Sequence, residues 1–251
     1  MTAPFPTRKQ EEWRYADLDA LQPVWEQLGD VATLTVAAGE SLEEIWLPTN
    51  DEVQVRRVQI ALGESAKARI FVLNNAPVYG RIELEISVSE GADFELYGAN
   101  IGTGISTNEF VTNVKHIGVG GRSRQAIRSV LNGKAVGSYL GRVEVARGAQ
   151  QTDAEQSVKA MLLDRGAIAN CKPELEIYAD DVKCAHGATV GQLDTEQMFY
   201  LMSRGFSETT ARELLTFAFA AEIVERIPVP SLVQRLEETV VRQTQTRTSQ
   251  P

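Results

Sequence analysis

Residues 53–188 form a succession of short segments in which apolar and polar residues alternate: VRRVQIAL, ARIFVLN, GRIELEISV, ADFELYGAN, SRQAIRSVL, GRVEVA, SVKAMLL and PELEIYA. Alternation gives each strand one apolar row on one face. Glycine-centred turns recur at Gly63, Gly91, Gly120, Gly148, Gly166 and Gly187, first every 28 or 29 residues and then every 18 to 21. Periods of this size belong to solenoids, in which each coil buries its apolar row against the next. The pattern predicts a mainly β chain whose core is a right-handed parallel β-helix. A β-sandwich is the alternative, because its turn signals also recur at short intervals.

The flanks read differently. Residues 1–50 hold Trp13, Tyr15, Trp25 and Trp46, which are expected to close the open end of the core, since an uncapped solenoid exposes apolar surface and strand edges. The β core is assigned to residues 51–190 and a helical region to 191–251. Asp194 followed by Thr195, Glu196 and Gln197 reads as an N-cap with its box partner, and Gly205 ends that helix. Helical spacing continues over 207–226 and 231–245, with Leu214, Phe217, Ala218, Ala221 and Val224 predicted as one apolar face. Phe219 lies beside that face, so the helix is apolar on more than one side and calls for a second cover. Ser231 and Gln234 form a capping box, Pro228 and Pro230 keep the linker before it extended, and the tail from Thr244 reads as disordered.

The chain has 251 residues, 43% hydrophobic and 24% charged, enough for one sizeable core. Its net charge of -9 argues against nucleic-acid and anionic-membrane partners, because an acidic surface is repelled by phosphate. Two cysteines, no bilayer-length apolar run and no leader pattern lead to the expectation of a reduced, cytoplasmic protein without a disulfide.

Chemistry concentrates in Cys184-Ala185-His186. Two positions apart on a strand, Cys184 and His186 leave the same face and can converge on one soft ion. A thiolate and a neutral imidazole suit iron, an iron-sulfur cluster or zinc, but two ligands leave a four-coordinate site half empty. Asp180, Asp181 and Cys171 are the further donors the sequence offers. Without more, the pair reads first as a buried cysteine acting as a small hydrophobe and a histidine capping a turn, ahead of a metal site.

The stretch KPELEIYADDVKCAHGATVGQLDTEQMFYLMSRGF (172–206), the helix ETTARELLTFAFAAEIVERIP (208–228) and EEWRYADLDAL (11–21) resemble the SufB/SufD family of iron-sulfur cluster assembly proteins, in its SufD branch. The resemblance implies a β-helix core with helical termini and a scaffold that is not an enzyme. It implies that His186, with Cys184 beside it, lies at an interface with a SufB-type paralogue where iron or a nascent cluster is held transiently, with no cofactor bound stably by the chain alone. It also implies docking of a SufC-type ATPase on the helical region, with Phe199, Tyr200, Met202 and Phe206 as candidate contacts. Relative to longer family members the N-terminal helical domain and some coils are expected to be trimmed, and a homodimer is a further possibility.

The remaining candidates carry less. Gly187 and Gly191 read as structural, and His116 as a surface or turn histidine. Asp153 and Glu155 are a conceivable acid/base pair on the solenoid flank. Gly133-Lys134 is followed by Ala135, so the hydroxyl of a phosphate-binding loop is missing and ATP dependence would come from a partner. Two other function classes stay open: a β-helix metal enzyme acting on a polysaccharide or small metabolite, and a purely structural adaptor.

Overall fold

The structure is a computed structural model that describes residues 4–223, together with Gln234 and Glu238. Its strands are β1 (Ala32–Val36), β2 (Ser41–Trp46), β3 (Val53–Leu62), β4 (Lys67–Asn74), β5 (Tyr79–Val88), β6 (Asp93–Gly102), β7 (Thr107–His116), β8 (Arg122–Leu131), β9 (Val136–Val145), β10 (Asp153–Leu162), β11 (Ile168–Ile177) and β12 (Lys183–Gly191). Odd-numbered strands form one six-stranded sheet and even-numbered strands another, each in chain order and parallel throughout. Each odd/even pair is one coil of a parallel β-solenoid of about six turns, not a sandwich of antiparallel sheets.

The true period lies in the register. Val53, Tyr79, Thr107, Val136 and Ile168 stack one above another, so successive coils advance by 26, 28, 29 and 32 residues. At the corner leading from odd to even strands one residue in each of the first five coils turns left-handed: Gly39, Ser65, Gly91, Gly120 and Gln151, with φ between 56° and 73°. Ser65, Gly91, Gly120 and Gln151 each donate a backbone N–H to the next coil, to Glu90, Val119, Gln150 and Asp181 at 2.6–2.9 Å. Two of these corners are not glycine, while Gly166 belongs to the opposite corner. The 18-residue step from Gly148 to Gly166 therefore counted a half-coil. Gly187 is no turn at all, being paired with Ser157 in mid-strand.

Inward rows fill the lumen. Ile60, Leu62, Ile70, Leu84, Phe94, Leu96, Phe110 and Ile127 are at most 2% exposed, each worth about 1.5–3 kcal/mol of burial. Trp46 belongs to this core in the first coil, with the Arg56 guanidinium stacked 4.7 Å from its ring. The solenoid thus begins at β1, inside the segment the sequence assigned to a cap.

Trp13 and Trp25 do not close the open end. They lie with Ala16, Leu21 and the short helix α1 (Leu18–Leu21) on the outer face of the odd sheet, against Tyr79, Val53 and Val55. Tyr15 is half-buried, with the Arg14 guanidinium 5.8 Å from its ring. The reason for the location is Arg81, an outward-facing residue with no exposure. Its guanidinium stacks 3.6 Å from the Trp13 ring, donates to the Glu12 carbonyl at 2.9 Å, and pairs with Glu109 and Glu83 at 2.8 Å each.

Two helices follow the last strand, α2 (Thr195–Ser203) and α3 (Glu208–Ala221). Asp194 accepts from the Glu196 and Gln197 amides, Gly205 turns with φ +96°, and Ser207 caps α3 through the Thr210 amide. α3 lies on the outer face of the even sheet over Phe71, Tyr97, Ile101 and Val130. Its buried positions are Ala211, Thr216 and Ala220, with Ile223 just beyond, so the predicted face is rotated. Small residues permit close approach to the sheet, and Leu214 and Ala218 are left exposed. Val224, the helix from Ser231 and the tail from Thr244 lie outside the described residues, apart from Gln234 and Glu238.

Candidate functional site

β11 and β12 end their sheets, and among the described residues nothing pairs with their outer edges. The last coil is therefore an unfinished one. Cys184 and His186 stand in register with Ala154 and Gln156 of β10, both buried in the lumen, so they occupy the inward row of β12. Cys184 packs half-buried on the main core, while His186, with no coil above it among the described residues, is exposed. Cys171, in register with Tyr139, packs half-buried on the same core from the opposite sheet. Burial pushes both thiols above their ordinary pKa, a desolvation cost of the thiolate that a bound cation would offset.

The acidic candidates do not complete a metal site. Asp181 is tied into a corner, its amide donating to the Gln150 side chain at 2.9 Å and its carbonyl accepting from Gln151. Asp180 is exposed. No group of three His, Cys, Asp or Glu side chains converges anywhere among the described residues.

Beneath the open coil lies a polar cluster that alternation could not announce. Tyr139, 1% exposed, folds its ring over Gly141, where a Cβ would collide with it. Its hydroxyl donates to Gln125 Oε1 at 3.2 Å, accepts from Gln156 Nε2 at 2.9 Å and lies 3.3 Å from Thr112 Oγ1. Gln125, Gln156 and His186 form one inward row across β8, β10 and β12.

His116 corrects the sequence reading. It is fully buried at the end of β7, with Nε2 2.8 Å from Ser123 Oγ, and burial pushes its pKa down to about 4. It sits on the inward parity of its strand, which outweighs its polarity. Asp153 and Glu155 do not converge either. Both take the outward parity of β10, Asp153 in a depression with Arg122 and Lys183, Glu155 in another with Arg124 and Arg128.

The helical region presents an apolar surface. Phe199, Tyr200, Met202 and Phe206 are 75%, 57%, 45% and 43% exposed. Phe199 and Met202 line a cleft of about 470 Å³ between α2, α3 and the Leu162–Arg165 corner. Across α3, Arg128 is nearly buried and holds Glu222 with two hydrogen bonds of 2.8 and 3.0 Å, with Lys159 at 2.9 Å. These cations hold the Glu222 carboxyl down at about 2. No helix among the described residues is long and apolar enough to cross a membrane.

Comparison with known proteins matches this architecture. Residues 29–219 fit the family model for the SufBD core domain of SUF system FeS cluster assembly. An iron-sulfur cluster assembly SufBD family protein of Synechocystis is 34% identical over 193 residues, 76% of this chain and 43% of that protein. The iron-sulfur cluster assembly protein SufD of Escherichia coli is 42% identical over 114 residues, 45% of this chain and 27% of its own length. SufD of Bacillus subtilis is 30% identical over 142 residues, 57% of this chain and 32% of its own length. The chain thus spans less than half the length of these relatives. With the solenoid and the matched span together, the chain belongs to the SufB/SufD family.

Proposed function

We propose that the chain serves SUF iron-sulfur cluster assembly as a scaffold without catalytic chemistry of its own. The observation that carries this reading is the unfinished last coil. Among the described residues it offers two unpaired strand edges and an inward row with one thiol and one imidazole, two of the ligands that a four-coordinate site would need. Stacking a second solenoid there would satisfy the edges and bring the missing ligands together. A SufB-type paralogue is the partner the family suggests, with iron or a nascent cluster as cargo shared by Cys184, His186 and the partner.

The exposed side chains of α2 and the cleft beside it supply a second surface, proposed here for a SufC-type ATPase. An aromatic and methionine-rich patch suits a protein partner. Gly133 and Lys134 form a solenoid corner, with Lys134 N–H donating to Gly104, so nucleotide energy would enter through the ATPase.

Co-expression with SufB-type and SufC-type proteins, followed by light scattering and iron analysis, tests both surfaces. The reading expects a stable assembly containing the ATPase, lost on Phe199→Asp/Met202→Asp, and a cluster yield that collapses in His186→Ala while assembly persists. A chain that ignores both partners overturns it. A second copy of this chain in place of the paralogue would retain the scaffold and replace the heterodimer by a homodimer.

A further inference from the structure

The polar cluster under the open coil has a direction. A phenolic hydroxyl has one proton, and that of Tyr139 goes to Gln125 Oε1. Its oxygen must then accept, and it takes the Gln156 Nε2 hydrogen at 2.9 Å. This commits the amide end of Gln156 to Tyr139 and leaves Oε1 as a buried acceptor without a partner. Gln156 is 1% exposed, so an unpaired carbonyl there carries a desolvation cost that a donor would relieve. Two in-register neighbours flank it: Gln125 on β8, whose Nε2 is likewise buried without a partner, and His186 on β12, the one that opens to the last coil. His186 is the in-register partner of Gln156 and shares its inward row. In-register positions of adjacent strands lie about 4.8 Å apart, within reach of a glutamine side chain, and a neutral imidazole carries one N–H.

We propose that Gln156 is a positioning residue for His186: its carboxamide oxygen accepts the ring N–H and leaves the other ring nitrogen facing out of the open coil as a metal ligand. The inference rests on the role proposed above for His186. Metal-ligating histidines commonly donate their second ring N–H in this way, which fixes the tautomer and raises ligand basicity. Gln156 does so from a fixed place, since Tyr139 holds its other end and Gly141 vacates the space for the Tyr139 ring. The cluster thus links the buried lumen to the exposed imidazole without itself touching the cargo.

The chain has two histidines, so histidine-selective 15N labelling gives two rings to follow, and His186→Ala assigns them. At pH 8 the His186 ring of the full chain is expected to show one tautomer from its two nitrogen shifts. Gln156→Leu, close in volume but without an acceptor, is expected to release it to a mixture, and Gln156→Glu, which keeps an oxygen at that position, to restore the single tautomer. In the co-expressed complex Gln156→Leu should lower cluster yield about 10-fold or more, with Gln156→Glu recovering part of it. An unchanged tautomer in Gln156→Leu overturns the inference, and so does an unchanged yield where His186→Ala loses it. A yield indifferent to His186→Ala would instead overturn the scaffold reading, with the tautomer result still deciding on the hydrogen bond. If Gln156→Leu melts early, Tyr139→Phe tests the same arrangement by freeing Gln156 from its anchor, and is expected to broaden the tautomer populations of a folded chain.

Discussion

Replacing Arg81 should detach the N-terminal segment from the solenoid and destabilise the coil beneath it. The guanidinium has no exposure, and Glu109, its partner at 2.8 Å, has none either. Glu109 also receives the Tyr79 hydroxyl, while its second oxygen has no partner. In Arg81→Met this carboxylate keeps its burial and loses its counter-charge, which costs about 3–5 kcal/mol. Loss of the stack on Trp13 adds about 0.5–2 kcal/mol, felt by the segment carrying Glu12 and Trp13. Removing the charge from both sides, in Arg81→Met/Glu109→Leu, leaves no orphaned ion, so the double variant is expected to be more stable than Arg81→Met by about 2 kcal/mol or more. Urea unfolding followed by far-UV circular dichroism measures the coil, and the emission of Trp13 and Trp25, whose rings lie 5.7 Å apart, read in a Trp46→Phe background, reports the segment. The expected record is early red-shifted emission in both variants and an early circular dichroism transition in the single one. A cost below about 1 kcal/mol for Arg81→Met, or a double variant as unstable as the sum of its singles, would refute the buried-charge argument.

Three further outcomes are expected. His116 is held neutral by burial, its pKa lowered from 6.5 to about 4; the unfolded chain therefore binds the extra proton first, and stability falls as pH drops from 6.5 toward 4, by about 3 kcal/mol in all. His116→Gln should flatten that slope in thermal melts across the range, and an equal slope in both chains would sink the assignment. Glu222 is the opposite charge type with the same sign of pH dependence: its carboxyl is lowered to about 2, so the tie to Arg128 and Lys159 is intact above the ordinary carboxylate range and is lost as pH falls through 2. Because Glu222 is partly exposed, Glu222→Gln should cost only about 1 kcal/mol, read as faster hydrogen exchange in α3 at neutral pH with the solenoid amides unchanged. Gly141→Ala should displace the Tyr139 ring and cost about 1–3 kcal/mol by overpacking, whereas Gly148→Ala, with nothing within 4 Å of the added carbon, should melt close to the parent.

The sequence carried the strands and the helix ends well, because alternation and capping are local. Asp194 caps α2 at the position the sequence marks, and α3 starts where its helical spacing starts, after Ser207. The Cys184/His186 pair was equally legible as residue types, and its shared face follows from a period of two. What was hidden depends on contacts between coils. The corner repeat is filled by Ser65 and Gln151 where glycine would have marked it, so counting glycines mistook a half-coil for a coil. The Tyr139 cluster draws on β7, β8, β9 and β10, and none of its members is unusual in its own segment. Arg81 looks like an ordinary outward cation until the N-terminal segment covers it. In α3 the sequence offers two apolar stripes, and the choice between them was made by Ala220 and Thr216, which let the helix approach the sheet.

Exposure along the solenoid is graded: the inward rows of β5 to β9 are sealed, whereas every residue of β11 and β12 is half-buried or exposed. In a stack where each coil holds only its neighbours, such a gradient sets an order of events. Opening favours the two end coils, β1/β2 and β11/β12, over the sealed middle. The coil bearing Cys184 and His186 is thus one whose order a binding partner can readily complete. Occupancy of that end would act as a thermodynamic clamp, raising the stability of the final coil by mass action while the sealed middle of the stack stays indifferent.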